Sequence, residues 1–349
     1  MMTQHPSPEA CAHALLRRSL LCALGAGMVH SPSWGGSTAA SNADPSLLDA
    51  ACVVPAKAGG GFALTCELAR DALQVVRPGR PPLQQRLLPG GIGAVAFDRM
   101  ATGAIGGPAT LVAFSSGSLL NIAQGRFGPH SPSIANWLAA MGVDYGVVAV
   151  HQDSPYRTLQ DLVSVLKQTP SRIIFGAGGT VGSQDWVKSA LLVRAAGGDH
   201  RTLRFVSFEG GGDALAALRG RHVDVFAGDA AEILQTRRAD SAFRLLAVLS
   251  PARLGQALTG IPTASEQGVD VVWPTIRGVY VSAAISKPDF DAWSAAFRDA
   301  MASPEYHKLL QKYGLFPFSL TGAALHAYID KALKEYAQLT DELGLRRWR

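Results

Sequence analysis

The stretch from Val53 to Thr65 constrains this chain most. It carries an apolar run that ends at Pro55, three glycines at 59–61, and then Phe62. Beyond the glycines, Leu64, Leu68, Ala72 and Leu73 recur at helical spacing. The pattern is strand, glycine turn, helix. Glycine lets the backbone approach a ligand closely, and the start of a helix offers unpaired N–H groups with a partial positive charge. An anion is the natural guest. The stretch matches neither G-x-x-x-x-G-K-[ST] nor G-x-G-x-x-G, so the two common nucleotide fingerprints are absent. Taken alone, an ordinary strand-to-helix turn explains it equally well.

Repetition changes that balance. Glycine- or serine-rich turns recur at Pro89-Gly90-Gly91, Ser115 to Ser118, Gly176 to Ser183 and Glu209 to Gly212. Each follows a predicted strand and precedes a predicted helix or turn. Strands are expected at 49–55, 83–88, 109–114 and 144–150, with helices at 62–76 and 89–100. From Ser154 the alternation resumes. Helices are expected at 159–166, 185–196 and 213–218, with strands at 172–175, 203–207, 223–227 and 244–249. A strand at 278–283 is assigned back to the first domain. Helices at 288–301, 304–312 and 323–343 close the chain, the last of them packing over the first domain. The fold class is α/β, two lobes of mostly parallel sheet with a ligand cleft between them. The expected division is a targeting segment at 1–43, lobe 1 at 44–148, lobe 2 at 149–274, and a return to lobe 1 at 275–349.

The chemistry of an enzyme is hard to find. The histidines after the targeting segment form no H-E-x-x-H and no metal spacing, and no G-x-S-x-G elbow is present. No cofactor is expected. Asp153, Asp185, Glu209 and Asp229 fall near loops, where acidic residues commonly cap helices or sit in solvent. Binding is better served. Gly176 to Ser183 is suited to a nest of N–H groups, Thr180 and Ser183 add hydroxyls, and the helix after Ser183 adds its dipole end. Ser183 serves equally as a helix cap. Arg277 is placed either to clamp a carboxylate or to form a structural ion pair at the hinge. The predicted ligand shell is Gly60, Gly61, Phe62, Ser115, Ser116, Gly179, Thr180, Ser183, Gly210, Asp229 and Arg277.

Several of these segments carry a family resemblance. Pro55-Ala56-Lys57-Ala58 before Gly59 to Phe62, Val112 to Ser115, Phe175 to Trp186, Phe208 to Gly212 and Gly314 to Phe318 resemble the extracytoplasmic substrate-binding proteins of tripartite tricarboxylate transporters. The resemblance runs from about Asp49 to the C-terminus and is greater to the tricarboxylate branch. It implies a type II periplasmic-binding-protein fold and a small carboxylate ligand, a tricarboxylate such as citrate. It also implies delivery to membrane subunits that this chain does not contain, or a signal to a sensor kinase. The alternative from another class is an exported α/β enzyme acting on a carboxylate. One position departs: family members often carry Asp directly after the Gly-Gly-Gly-Phe segment, and Ala63 stands there.

Export fits the N-terminus. Arg17-Arg18 precede an apolar stretch from Leu20 to Val29, too short to span a bilayer but suited to a signal segment of the Sec or twin-arginine type. Ala39, Ala40 and Ala43 are candidate cut sites, and the expected location is periplasmic. The formal charge is +5, and removing residues 1–43 takes Arg17, Arg18 and Glu9, leaving +4. Lys and Arg are scattered rather than blocked, which argues against nucleic acid and suits the steering of anions. Of the four cysteines at 11, 22, 52 and 66, the first two leave with the signal. Cys52 and Cys66 are expected to pair in an oxidising compartment, the alternative being two buried free thiols.

Overall fold

A computed structural model describes residues 50–237 and 242–345; the expected signal segment and its cut sites lie outside them. The strands are β1 (Ala51–Val54), β2 (Gln84–Leu87), β3 (Thr110–Ser115), β4 (Ala135–His151), β5 (Ile174–Gly178), β6 (Arg204–Phe208), β7 (Val225–Phe226), β8 (Phe243–Leu249), β9 (Pro274–Ser282) and β10 (Leu320–Thr321). The helices are α1 (Gly60–Val76), α2 (Ala94–Ala101), α3 (Ser116–Ala123), α4 (Leu159–Gln168), α5 (Gln184–Ala195), α6 (Gly211–Arg219), α7 (Ala230–Arg237), α8 (Lys287–Ala302), α9 (Pro304–Tyr313) and α10 (Gly322–Glu342).

The strand order is β2-β1-β3-β9-β4-β7-β5-β6, with β8 and β10 also paired to β4. β1 runs parallel to β2 and β3, and β5 runs parallel to β6 and β7. The two parallel groups are joined through β4 and β9, which run antiparallel to each other. β4 is the pivot. Its residues from Ala135 to Tyr145 pair with β9, and those from Gly146 onward pair with β8. The first half of β4 escaped the sequence reading because Leu138-Ala139-Ala140-Met141 is a string of good helix formers. Pairing and burial against β9 override that propensity.

Each half has cores on both faces. In the first half, Leu64 and Leu68 of α1, Trp293 and Phe297 of α8 and Tyr306 of α9 pack with β1 and β3. The opposite face gathers Phe97, Phe114, Trp137 and Tyr280, with ring centroids of the last three 4.9–6.4 Å apart. Each such buried ring contributes about 1.5–3 kcal/mol by leaving water. In the second half, α4 and α5 cover one face, while α6 and α7 cover the other. The last helix packs over the first half, as expected, and reaches over the second as well. Leu325, Ile329 and Ala332 of α10 pack on the first half, while Leu339 and, just beyond the helix, Leu343 pack on the second. The reason is length: 21 residues extend past one half of the sheet.

Cys52 on β1 and Cys66 in the second turn of α1 are bonded as a disulfide, with Cα atoms 5.7 Å apart. The bridge ties the helix to its own strand across the glycine turn.

Candidate functional site

The C-terminal ends of β1, β3, β5 and β6 all open onto one cavity of about 510 Å³. Open α/β sheets bind ligands at this end, because the following helices start there. Gly60, Gly61, Phe62, Ser115, Gly179, Thr180, Ser183, Gly210, Asp229 and Arg277 all line it. Ser116 does not, and that expectation is corrected. Its hydroxyl turns away, donating to the Pro274 carbonyl at 3.3 Å and accepting from the Ile276 N–H at 3.0 Å. As the first residue of α3 it ties that helix to β9.

The turn after β5 is less open than a nest. The Gly179 N–H donates to the Phe208 carbonyl at 2.7 Å, the Ser183 N–H donates to the Thr180 carbonyl at 2.8 Å, and the Gly178 N–H donates to Asp185 at 2.9 Å. Ser183 caps α5: its hydroxyl accepts from the Trp186 N–H at 3.4 Å and donates to the Gly178 carbonyl at 3.0 Å. Side chains from the first half hold this turn across the cleft. Gln124 donates to the Gly182 carbonyl at 2.8 Å, and Arg126 donates to the Thr180 hydroxyl at 3.1 Å and to the Val181 carbonyl.

A charge cluster lies against the cavity, which Asp185, Asp229, Glu232 and Arg277 line while Asp144 and Lys188 sit behind them. Lys188, fully buried on α5, contacts Asp185 and Asp229, each at 2.8 Å. The Arg277 guanidinium contacts Asp144 at 2.8 Å and Asp229 at 2.9 Å. Asp229 also accepts from Gln184 at 2.9 Å and from the Thr275 hydroxyl at 3.2 Å. Of the two roles open to Arg277, the ion pair is therefore the one seen. Both aspartates sit at Nη2 and Arg277 also lines the cavity, so these contacts establish the ion pair without contradicting the clamp. Glu232 of α7 completes the cluster. Its Oε1 accepts from the Gly61 N–H at 3.0 Å. α1 has no acidic residue in its first turn and no side-chain cap, so Glu232 supplies from another helix the acid that Ala63 does not.

Two glycines make this assembly sterically feasible. A Cβ on Gly61 would fall 1.8 Å from Arg277 Nη1, and one on Gly211 would fall 2.0 Å from Glu232 Oε2. Any side chain at either place would displace the charged group.

The cluster perturbs its members. Burial raises the Asp144 carboxyl to about 6 despite the Arg277 charge beside it. Burial also raises Asp185, with Lys188 opposing. Asp229 is lowered: burial works against its charge, but Lys188 and Arg277 overcome that penalty. Glu232 rises to about 8, through burial first and then through the charges of Asp229 and Asp185.

Sequence reasoning missed Asp144, Lys188 and Glu232 as site residues. Lys188 left one trace, a charged residue among the apolar positions Trp186, Val187 and Ala190 of α5. Glu232 left one as well, the Asp229-x-x-Glu232 spacing of a helix start at α7, which was not assigned. Among the described residues no group of His, Cys, Asp and Glu is placed to hold a metal ion, and no helix is long and apolar enough to cross a membrane.

Residues 90–345 match the family described as tripartite tricarboxylate transporter family receptor, TctC. A curated protein of Cupriavidus necator, described as a UPF0065 protein, is 22% identical over 204 residues. The chain spans 60% of the length of that relative, and the match takes in 58% of this chain. MatC from Rhodopseudomonas palustris, solved with bound malate, superposes with a TM-score of 0.70 at 18% identity, over 83% of this chain and 98% of that one. The periplasmic binding protein BugD superposes at 0.75 with 17% identity, over 86% and 99%. At such identities these likenesses establish the two-lobed α/β fold. The family match covers well over half of the sequence, and the chain belongs to the TctC receptor family, whose members are transport receptors and not enzymes.

Proposed function

We propose that this protein is an exported, periplasmic receptor that captures a small carboxylate and presents it to the membrane subunits of a tripartite tricarboxylate transporter. One observation supports it above the others: the starts of α1, α3, α5 and α6 converge on a single cavity. Each start brings its partial positive charge to the cavity, an environment that favours a carboxylate leaving water, although Glu232 and Ser183 already take N–H groups of α1 and α5. The cavity lies between two halves linked by β4, β9 and α10, an arrangement suited to closing around the ligand. The Arg17-Arg18 segment would direct export and be removed. The protein performs no chemistry on what it binds.

A tricarboxylate such as citrate, the ligand implied by the sequence resemblance, would bring three negative charges to a cavity already lined by Asp185, Glu209, Asp213, Asp229 and Glu232 against Lys57, Arg126 and Arg277. Like charges brought together in a closed site cost several kcal/mol. We therefore favour a ligand with fewer carboxylates than citrate. Calorimetric titration of the ligand-stripped mature protein with mono-, di- and tricarboxylates tests the function. One-to-one binding of at least one of them is expected. No heat from any of them, or turnover of one, would refute it.

A further inference from the structure

We infer that Glu232 is a specificity determinant. Its carboxyl group fills an anion niche between the starts of α1 and α6, and so selects a carboxylate ligand that presents a hydrogen-bond donor, an ammonium or hydroxyl, at that end. This rests on the receptor function proposed above and names its ligand class.

Three observations support it. The first is position. Glu232 Oε1 accepts from the Gly61 N–H at 3.0 Å and lies 3.3 Å from where a Gly60 Cβ would stand, while Oε2 lies over Gly211. Both oxygens thus sit at glycine-rich helix starts that line the cavity, the kind of place a ligand carboxylate would otherwise take. The second is charge. Lys188 and Arg277 each already contact two aspartates, and Glu232 has no such contact with either cation. Removal from water at its half-buried site, with Asp229 and Asp185 nearby, raises its carboxyl to about 8, and Arg277 offsets this only in part. A ligand cation or donor would supply what is lacking. The third is unmet acceptors. Gln184 spends its amide N–H on Asp229 at 2.9 Å, which fixes the side chain's orientation and leaves Oε1 buried with no hydrogen bond. Asn121, 3% exposed on the cavity wall, has an Oδ1 in the same condition. Buried acceptors are normally paired, so these await donors.

The test uses pairs of ligands that share a carboxylate and a methylene chain and differ at the far end. Succinate is compared with 3-aminopropanoate and 3-hydroxypropanoate, and glutarate with 4-aminobutanoate and 4-hydroxybutanoate. Affinities are measured by calorimetry on the mature wild type, Glu232→Ala and Glu232→Gln. At pH 9, above the raised titration of Glu232, the wild type should favour an amino or hydroxy acid over its diacid by at least about tenfold, as like-charge contact in a closed cleft requires. Glu232→Ala empties the niche and should reverse the order. Glu232→Gln keeps an acceptor for the Gly61 N–H without the charge, so it should erase the preference for ammonium even if the alanine variant folds poorly. A wild type that prefers the diacids, or a preference unchanged in both variants, overturns the inference and leaves the receptor standing. If no protein binds any carboxylate, the receptor function falls and the inference with it.

Discussion

Replacing Lys188 with methionine is the sharpest structural perturbation. The side chain is fully buried, and its ammonium contacts Asp185 and Asp229 at 2.8 Å each. Methionine fills a similar volume, so packing changes little, but two nearly buried carboxylates lose their shared cation. Stranding buried charge in this way costs about 3–5 kcal/mol. At about 2 °C per kcal/mol for a domain of this size, melting should fall by roughly 6–10 °C. The stranded charge, not the lost methylenes, is the predicted cause. Adding Asp185→Asn removes one carboxylate, keeps an acceptor for the Gly178 N–H and leaves Asp229 to Arg277, so the double variant should regain more than half of the loss. Urea unfolding followed by fluorescence and circular dichroism, on ligand-stripped protein, gives all four corners of the cycle. A Lys188→Met variant within about 1 kcal/mol of wild type, or strict additivity with Asp185→Asn, would refute the reasoning.

Further outcomes follow from the same geometry. Gly61→Ala should displace Arg277, lowering stability by about 1–3 kcal/mol and weakening ligand binding; unchanged melting and affinity would show that the contact is readily relieved. Glu232 is raised from 4.5 to about 8 by burial and by Asp229, Asp185 and Asp144 against Arg277, so its contribution is fully present below pH 4.5 and is lost as pH rises toward 8. Melting temperature should therefore fall between about pH 5 and 8 more steeply in wild type than in Glu232→Gln, and matching slopes would contradict this. Cys52 and Cys66 close a loop of 14 residues that should add about 3 kcal/mol. Alkylation of the denatured, unreduced protein followed by intact mass should label neither; two labels would rule the bridge out.

The alternation of strand and helix was legible because apolar periodicity is strong in α1, α4 and β3. So were the glycine-rich turns, because their spacing after strands needs no tertiary information. What stayed hidden depends on long-range contact. The first half of β4 is written in helix formers and becomes a strand only beside β9. α7, from Ala230, falls in the stretch between the strands expected at 223–227 and 244–249 where no element was assigned, although Asp229 and Glu232 carry the spacing of a helix start. The ion cluster joins Asp144, Lys188, Asp229 and Arg277 across up to 133 residues, and no local pattern encodes such a meeting. Ser116 shows the opposite limit. Its composition fits a polar binding turn, but the direction of one hydroxyl decides whether it faces ligand or strand.

The most direct test of the receptor is what the exported protein carries. Mature protein recovered from its own periplasm should release, on denaturation, one equivalent of a small molecule identifiable by mass spectrometry. A carboxylate, returned unchanged after incubation with fresh protein, is the predicted result. A molecule without a carboxylate, or a carboxylate that the protein chemically converts, would contradict it.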